Sequence, residues 1–237
     1  ETKATDVSKV ILITDSEYQV VSIDQSIPLP DYVFYPNSDT DKTAVEWTVD
    51  DLNVAEVATT TDANGKVSGT VKAKAAGVAV VKLQVVGKTE VNAAFRLIVR
   101  PTNEPKNCKA DATYNSVSLS WSPVADANGY TITRKVEGSD TEQTIAHVDG
   151  TDTVSYKDTA AQTGISYIYH VYAYTKYTNN GQTDYANTDA YASVKATPQL
   201  GKAAMTSVTA EGYSSLTLKW EKVDGATGYI VYRSTDK

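Results

Sequence analysis

One stretch of this chain occurs twice, and that repeat limits what the chain can fold into. Tyr114-Asn-Ser-Val-Ser-Leu-Ser-Trp121, followed by Gly129-Tyr130-Thr-Ile-Thr-Arg134, returns as Tyr213-Ser-Ser-Leu-Thr-Leu-Lys-Trp220 and Gly228-Tyr229-Ile-Val-Tyr-Arg233. Every matched position lies 99 residues further on, a period of about domain length that marks like modules in tandem. Within each copy Val117, Leu119 and Trp121, or Leu216, Leu218 and Trp220, alternate with Ser, Thr and Lys. A period of two gives a strand with one buried and one wet face. A second strand opens on Gly-Tyr after a polar turn, and the indole fills the space between two sheets. The pattern predicts an all-β fold of tandem β-sandwiches in a linear array.

Composition fits packed cores: 41% of the 237 residues are hydrophobic and 22% charged. Tyr is abundant, 16 against 2 Phe, which suits half-buried strands. No apolar run approaches the roughly 18 residues of a membrane span, so no membrane insertion is expected from this stretch. The net charge of −7 argues against nucleic acid or an anionic membrane surface as partner. Cys108 is the only cysteine, so no intramolecular disulfide can form. The sequence opens on Glu1 without a signal-like segment and reads as a fragment or a mature product.

Residues 1–100 form the first unit. Val10–Ile13, the stretch from Gln19 to Leu29, and Tyr32–Tyr35 are expected strands, with a turn at Pro36-Asn-Ser-Asp. Val45, Trp47 and Val49 share one face. Asn64-Gly65 is a hairpin signal, and Phe95, Leu97 and Val99 alternate with Arg96 and Arg100. Tyr35-Pro36, Val45-Glu-Trp47-Thr, Val54-Ala-Glu-Val57, Gly65-Lys-Val67 and Gly77-Val-Ala-Val-Val resemble, in that order, the bacterial Ig-like group 2 domain. The stretch between Val57 and Gly77 departs from that pattern as an insertion. Arg100-Pro-Thr-Asn-Glu-Pro105 is a linker that its two prolines keep extended.

Residues 101–198 form the second unit. Pro105, Leu119-Ser-Trp121, Gly129-Tyr130-Thr-Ile132 and Gly164-Ile-Ser-Tyr167-Ile-Tyr-His-Val171-Tyr-Ala173 resemble a fibronectin type III domain. The resemblance implies that Tyr167 ties its hydroxyl back to the backbone as a tyrosine corner, although Ala160-Ala161-Gln162 stands where Leu-x-Pro is usual. A two-residue turn at Asn180-Gly181 pairs residues whose numbers sum to 361. Tyr167 then faces Val194, Tyr169 faces Ala192 and Val171 faces Ala190 inside, while Tyr172 meets Asp189 and His170 meets Tyr191 outside. Residues 199–237 read as the first three strands of a second fibronectin type III copy, centred on Trp220, and are expected to come from a longer chain.

No constellation for catalysis is legible, and no enzyme activity, metal or cofactor is expected. His147 and His170 lack metal spacing, and no Gly-x-Ser-x-Gly elbow exists. Gly87-Lys88-Thr89 imitates the end of a phosphate loop but reads as a hairpin turn. Asp62-Ala-Asn-Gly65 and Asp149-Gly-Thr-Asp152 carry oxygen ligands without a calcium-loop frame and read as solvated turns. Cys108 reads as a free structural thiol. Tyr172, Tyr174, Tyr177, Tyr185 and Tyr191 point outward and offer an aromatic platform for sugar rings; cross-strand packing is the plainer reading of the same residues. Trp47, Trp121, Tyr167 and Trp220 are structural. The family resemblance implies spacer and presentation modules of a bacterial cell-surface or extracellular protein, engaged in adhesion to a host or cell-wall glycan or protein. The alternative it implies is a set of accessory modules of a large secreted polysaccharide-degrading enzyme.

Overall fold

The computed structural model describes residues 7–36 and 43–234, so the turn expected after Pro36 falls largely outside the described residues. In the first unit the strands are β1 (Lys9–Ile13), β2 (Tyr18–Ser22), β3 (Ser26–Pro28), β4 (Asp31–Tyr35), β5 (Val45–Val49), β6 (Ala55–Thr61), β7 (Val67–Ala73), β8 (Gly77–Val85) and β9 (Lys88–Arg100). One sheet runs β2-β9-β8-β5; opposite it lie the sheet β3-β7-β6 and the ladder β1-β4. All pairs are antiparallel except β2 with β9, which run parallel from Tyr18–Arg96 to Ser22–Arg100. The alternation of β8 and β9 sends Ala79, Val81, Leu83, Phe95, Leu97 and Val99 inward, where they meet Val10, Ala55, Val71 and Ala73. Trp47 packs edge-on against Phe95 at 6.4 Å. The stretch read as an insertion after Val57 is the β6–β7 hairpin, with Gly65 at φ 91° in its turn.

The second unit contains β10 (Lys109–Ala112), β11 (Val117–Ser120), β12 (Gly129–Val136), β13 (Gln143–Asp149), β14 (Ser155–Asp158), β15 (Tyr167–Asn179), β16 (Gln182–Asn187) and β17 (Ala192–Ala196). The sheet β10-β11-β14 covers β13-β12-β15, which β16 and β17 extend along successive halves of β15. Val117, Leu119 and Trp121 from one sheet meet Tyr130, Ile132, Tyr169 and Val171 from the other. Trp121 lies edge-on to Tyr130 at 5.2 Å. The Tyr130 hydroxyl accepts from Val124 N at 2.8 Å and donates to Thr151 O at 2.8 Å, so its burial leaves no orphaned polar group. The Tyr167 hydroxyl accepts from Gln162 N at 3.2 Å.

The register expected for the last hairpin holds only along its outer half. Tyr174 pairs with Asn187 and Asn179 with Gln182, around Asn180 and Gly181, both at positive φ. Nearer the base, however, Tyr167 pairs with Ala196, Tyr169 with Val194 and Val171 with Ala192, so the sum becomes 363. Tyr172 therefore faces Tyr191, and His170 faces Ser193. Thr188 causes the slip. Its N–H donates to Ala173 O at 2.8 Å, its hydroxyl accepts from Ala173 N at 3.3 Å and donates to Ala190 O at 2.7 Å. The side chain thus substitutes for a ladder residue, and two residues loop out between β16 and β17. A slip of two keeps each side chain on its face, so Tyr169 stays buried and Tyr172 stays on the outer side.

The third unit differs from expectation. Only β18 (Met205–Ala210) and β19 (Leu216–Trp220) pair; residues 228–233 form no strand. In the second unit the equivalent β12 is held by β13 and β15. Among the described residues the third unit has neither, so the expected third strand has nothing to pair with.

Candidate functional site

Two features gather organised polar contacts: the seam between the first two sandwiches, and the outer face of the second.

The seam forms where the end of β9, held between β2 and β8, meets the part of β15 that runs past β12 and pairs with β16. Ile98 points away from the core that Leu97 and Val99 enter, yet it is fully buried and belongs to neither core cluster. The far half of β15, with β16, packs on β8 and β9 there. Thr175, also fully buried, donates its hydroxyl to Val99 O at 2.7 Å. Arg100 divides its guanidinium across the seam. Nε donates to Ser22 Oγ at 3.0 Å, Nη1 to Asn187 O at 3.4 Å, and Nη2 pairs with the Asp189 carboxylate. Arg96 donates to Thr178 O, and Asn179 Nδ2 to the Tyr18 hydroxyl at 3.4 Å. Tyr177 completes the seam with its ring 5.7 Å from Tyr18. Its phenol is pushed up to about 12 by burial and by the hydrogen bond to Asp184. Besides Ile98, the ring pair and the Arg100–Asp189 ion pair, the seam holds these directional hydrogen bonds. These fix orientation more than they contribute free energy, at about 1 kcal/mol net each.

The five outward tyrosines do not form one platform. Tyr177 lies in the seam. Tyr172 and Tyr191 sit 5.0 Å apart, with His170 at 4.2 Å from Tyr191. His170 Nδ1 is 2.9 Å from Glu142 Oε1, which also accepts from Thr133. Burial raises Glu142, but these two hydrogen bonds outweigh it and hold the carboxyl below its usual range. Tyr185 stacks flat on His147 at 3.7 Å, and Tyr174 lies edge-on beneath them at 4.8 Å from Tyr185. Burial pushes the His147 imidazole below its usual value, against the pull of Asp149.

Tyr174 is fully buried although it sits on the outer side of β15. Its cross-strand neighbour is Gly129, and a Cβ there would fall 2.5 Å from the tyrosine oxygen. Without that Cβ the ring crosses β12 and its hydroxyl reaches Asp149 Oδ1 at 2.6 Å. Of the five tyrosines only Tyr191 is strongly exposed, at 44%; the rings mostly turn their faces to one another.

Beneath this face lies an ion pair that residue spacing did not announce. Arg134 Nη1 meets Asp158 Oδ2 at 2.7 Å, and the Tyr169 hydroxyl donates to the same oxygen at 2.9 Å. Burial first, then this carboxylate, raises the Tyr169 phenol far above its usual value. The Arg134 guanidinium stands 4.8 Å above the Tyr167 ring. The candidate calcium turns are internally satisfied. Asp62 Oδ1 accepts from Asn64 N and Lys66 N, and Asp149 accepts from Tyr174 and Lys176. Among the described residues no group of three or more His, Cys, Asp and Glu comes together as a metal site. Cys108 is a half-buried free thiol, pushed up by burial.

No protein-family model matches the chain, and no curated protein matches it. Its structural neighbours are fibronectin type III and Ig-like β-sandwich domains. They include a Fn3-like protein from Clostridium thermocellum, 30% identical over 39% of this chain and 90% of that one, with a TM-score of 0.29. Domains A168–A170 of titin are 14% identical over 81% of this chain and 66% of theirs, with a TM-score of 0.38.

Proposed function

We propose that the chain is a stretch of non-catalytic spacer and presentation modules from a bacterial extracellular or cell-surface protein that serves adhesion. In this reading the first sandwich is a bacterial Ig-like group 2 module, and the second is a fibronectin type III module followed by part of another. The single observation that carries it is the seam at Ile98, Thr175 and Arg100. A spacer has to hold its modules in a fixed relation, and here the second sandwich extends its longest hairpin over the first and locks it by hydrogen bonds. The linker prolines restrict the same joint from the covalent side. The partner in adhesion is a glycan or protein presented by a host or cell wall.

Small-angle scattering of the intact chain tests the spacer. One fixed arrangement of the first two sandwiches is expected to fit the curve, and Arg100→Ala with Thr175→Val is expected to broaden it into a distribution. A parent curve that already demands a broad ensemble would sink the proposal.

A further inference from the structure

The loop after the tryptophan strand has the same conformation in both repeats. Val124 N donates to the Tyr130 hydroxyl at 2.8 Å, and Val223 N to Tyr229 at 2.6 Å. Ala127 N donates to Val124 O at 3.3 Å, and Ala226 N to Val223 O at 3.1 Å. The residue between takes positive φ in each: Asp126 at 62° and Gly225 at 78°. The residues there differ, and the difference is steric. Gly225 carries the ring of Tyr114 from the second sandwich. A Cβ built on Gly225 would stand 2.3 Å from Tyr114 Cδ2 and 2.6 Å from Cε2, closer than any side chain tolerates. Tyr114 lies in the turn between β10 and β11, which the Thr163 hydroxyl holds by donating to Tyr114 O. The seat works only because it has no side chain. Asp126, which has one, cannot receive a tyrosine in this way, and the first sandwich meets the second through the β15–β16 hairpin instead.

The repeat places Tyr213 where Tyr114 stands, in a turn one residue longer, since Ala210 pairs with Leu216 but Ala112 with Val117. Tyr114 is half-buried on its seat, whereas Tyr213 is wholly exposed at 112%. We propose that tyrosine in this turn and glycine in the loop form the pairing element between successive sandwiches, and that Tyr213 is its free half. Its partner is a further β-sandwich module with glycine at the position of Gly225. The second sandwich of another copy of this chain does not qualify, because Asp126 fills the seat. The proposal deepens the spacer reading by naming what the array accepts next, and it rests on that reading.

NMR on the intact chain tests both halves. With Tyr114 on its seat, the Gly225 α-protons are displaced upfield by the ring, and Tyr114→Leu removes the displacement. Gly225→Asp is expected to free the Tyr114 ring; Asp126 already holds positive φ, so aspartate suits the backbone and only the steric fit is lost. For Tyr213 the probe is a vacated seat. Labelled chain carrying Tyr114→Ala and Tyr213→Ala is titrated with unlabelled parent chain, whose own seat is filled. The Gly225 resonance is expected to move with parent chain and to stay still with unlabelled Tyr213→Ala chain. If both partners move it, or neither does, Tyr213 is not a docking residue. A Gly225 shift that stays as far upfield in the Tyr114→Leu chain as in the parent overturns the pairing element itself. Neither result touches the Arg100 and Thr175 seam, so the scattering test of the spacer reading stays separate.

Discussion

Trp121 and Trp220 stand in the same motif 99 residues apart, and their neighbourhoods match locally. Each ring meets the tyrosine that opens the next segment, at 5.2 Å and 5.3 Å. Each tyrosine hydroxyl is bound by the same loop nitrogen. Their burial differs: Trp121 is 5% exposed and Trp220 37%, while Tyr130 is fully buried and Tyr229 is 39% exposed. The short motif is thus enough to fix ring geometry and loop. Removal from water is a separate matter, decided by strands far away in the chain. In the second sandwich β14 and β15 supply them; in the third unit no described strand does.

That contrast makes unequal outcomes the expectation for paired substitutions. Trp121→Ala is expected to destabilise the second sandwich by about 3–5 kcal/mol, the cost of an emptied aromatic site in a packed core. Trp220→Ala is expected to change stability by less than about 1 kcal/mol, as exposed positions do. Urea unfolding of both variants measures this, and equal losses would break the comparison. Next come the matched arginines. Arg134→Ala leaves the Asp158 carboxylate buried beside Tyr169 and is expected to cost about 3 kcal/mol; the equivalent Arg233 is exposed, and its alanine variant is expected to unfold at the parent's midpoint.

The seam gives a smaller effect. Thr175→Val keeps the shape but removes the donor to Val99 O, at about 1–2 kcal/mol. Hydrogen exchange should then rise at Val99 and Thr175 together while amides in both cores stay protected. The smallest is a pH effect on the outer face. The hydrogen bond from Lys176, then that from Tyr174, holds the Asp149 carboxyl below its usual range. A depressed folded pKa contributes stability above the unfolded value, about 3.9, and loses it as pH falls through the folded one. The side-chain carboxyl carbon shift of Asp149 is therefore expected to hold steady down to about pH 4 and to change below it. A change centred above pH 5 would assign the effect to another group.

The alternation of apolar residues was enough to assign faces. Tyr169 and Val171 go in and Tyr172 goes out, because side-chain direction depends on parity alone. Register is a different kind of information. It turned on Thr188, whose hydroxyl and N–H bind Ala173 in place of a strand neighbour, and nothing in the pattern distinguishes that threonine from the many others. The outer tyrosines were legible as outward but not as covered; Tyr174 disappears because Gly129 lets its ring lie across β12, a signal present in the Gly-Tyr pair but read only as a strand start. Arg134–Asp158 and Arg100–Asp189 join residues 24 and 89 positions apart, a separation that leaves no periodic mark. The prolines made the linker visible as stiff, whereas the hairpin packed on β8 and β9 depends on β15 running past the last residue that pairs with β12.

The parallel pairing of β2 with β9 bears on how the first sandwich would withstand tension. Load entering from the amino-terminal side reaches β2 once β1 has parted from β4, and load from the carboxyl-terminal side reaches β9 at Arg100, so the two strands are then drawn past each other along their length. The rungs from Tyr18–Arg96 to Ser22–Arg100 are then sheared together, whereas a hairpin pulled from its open end gives way one rung at a time. An attachment that must survive flow gains most from this arrangement.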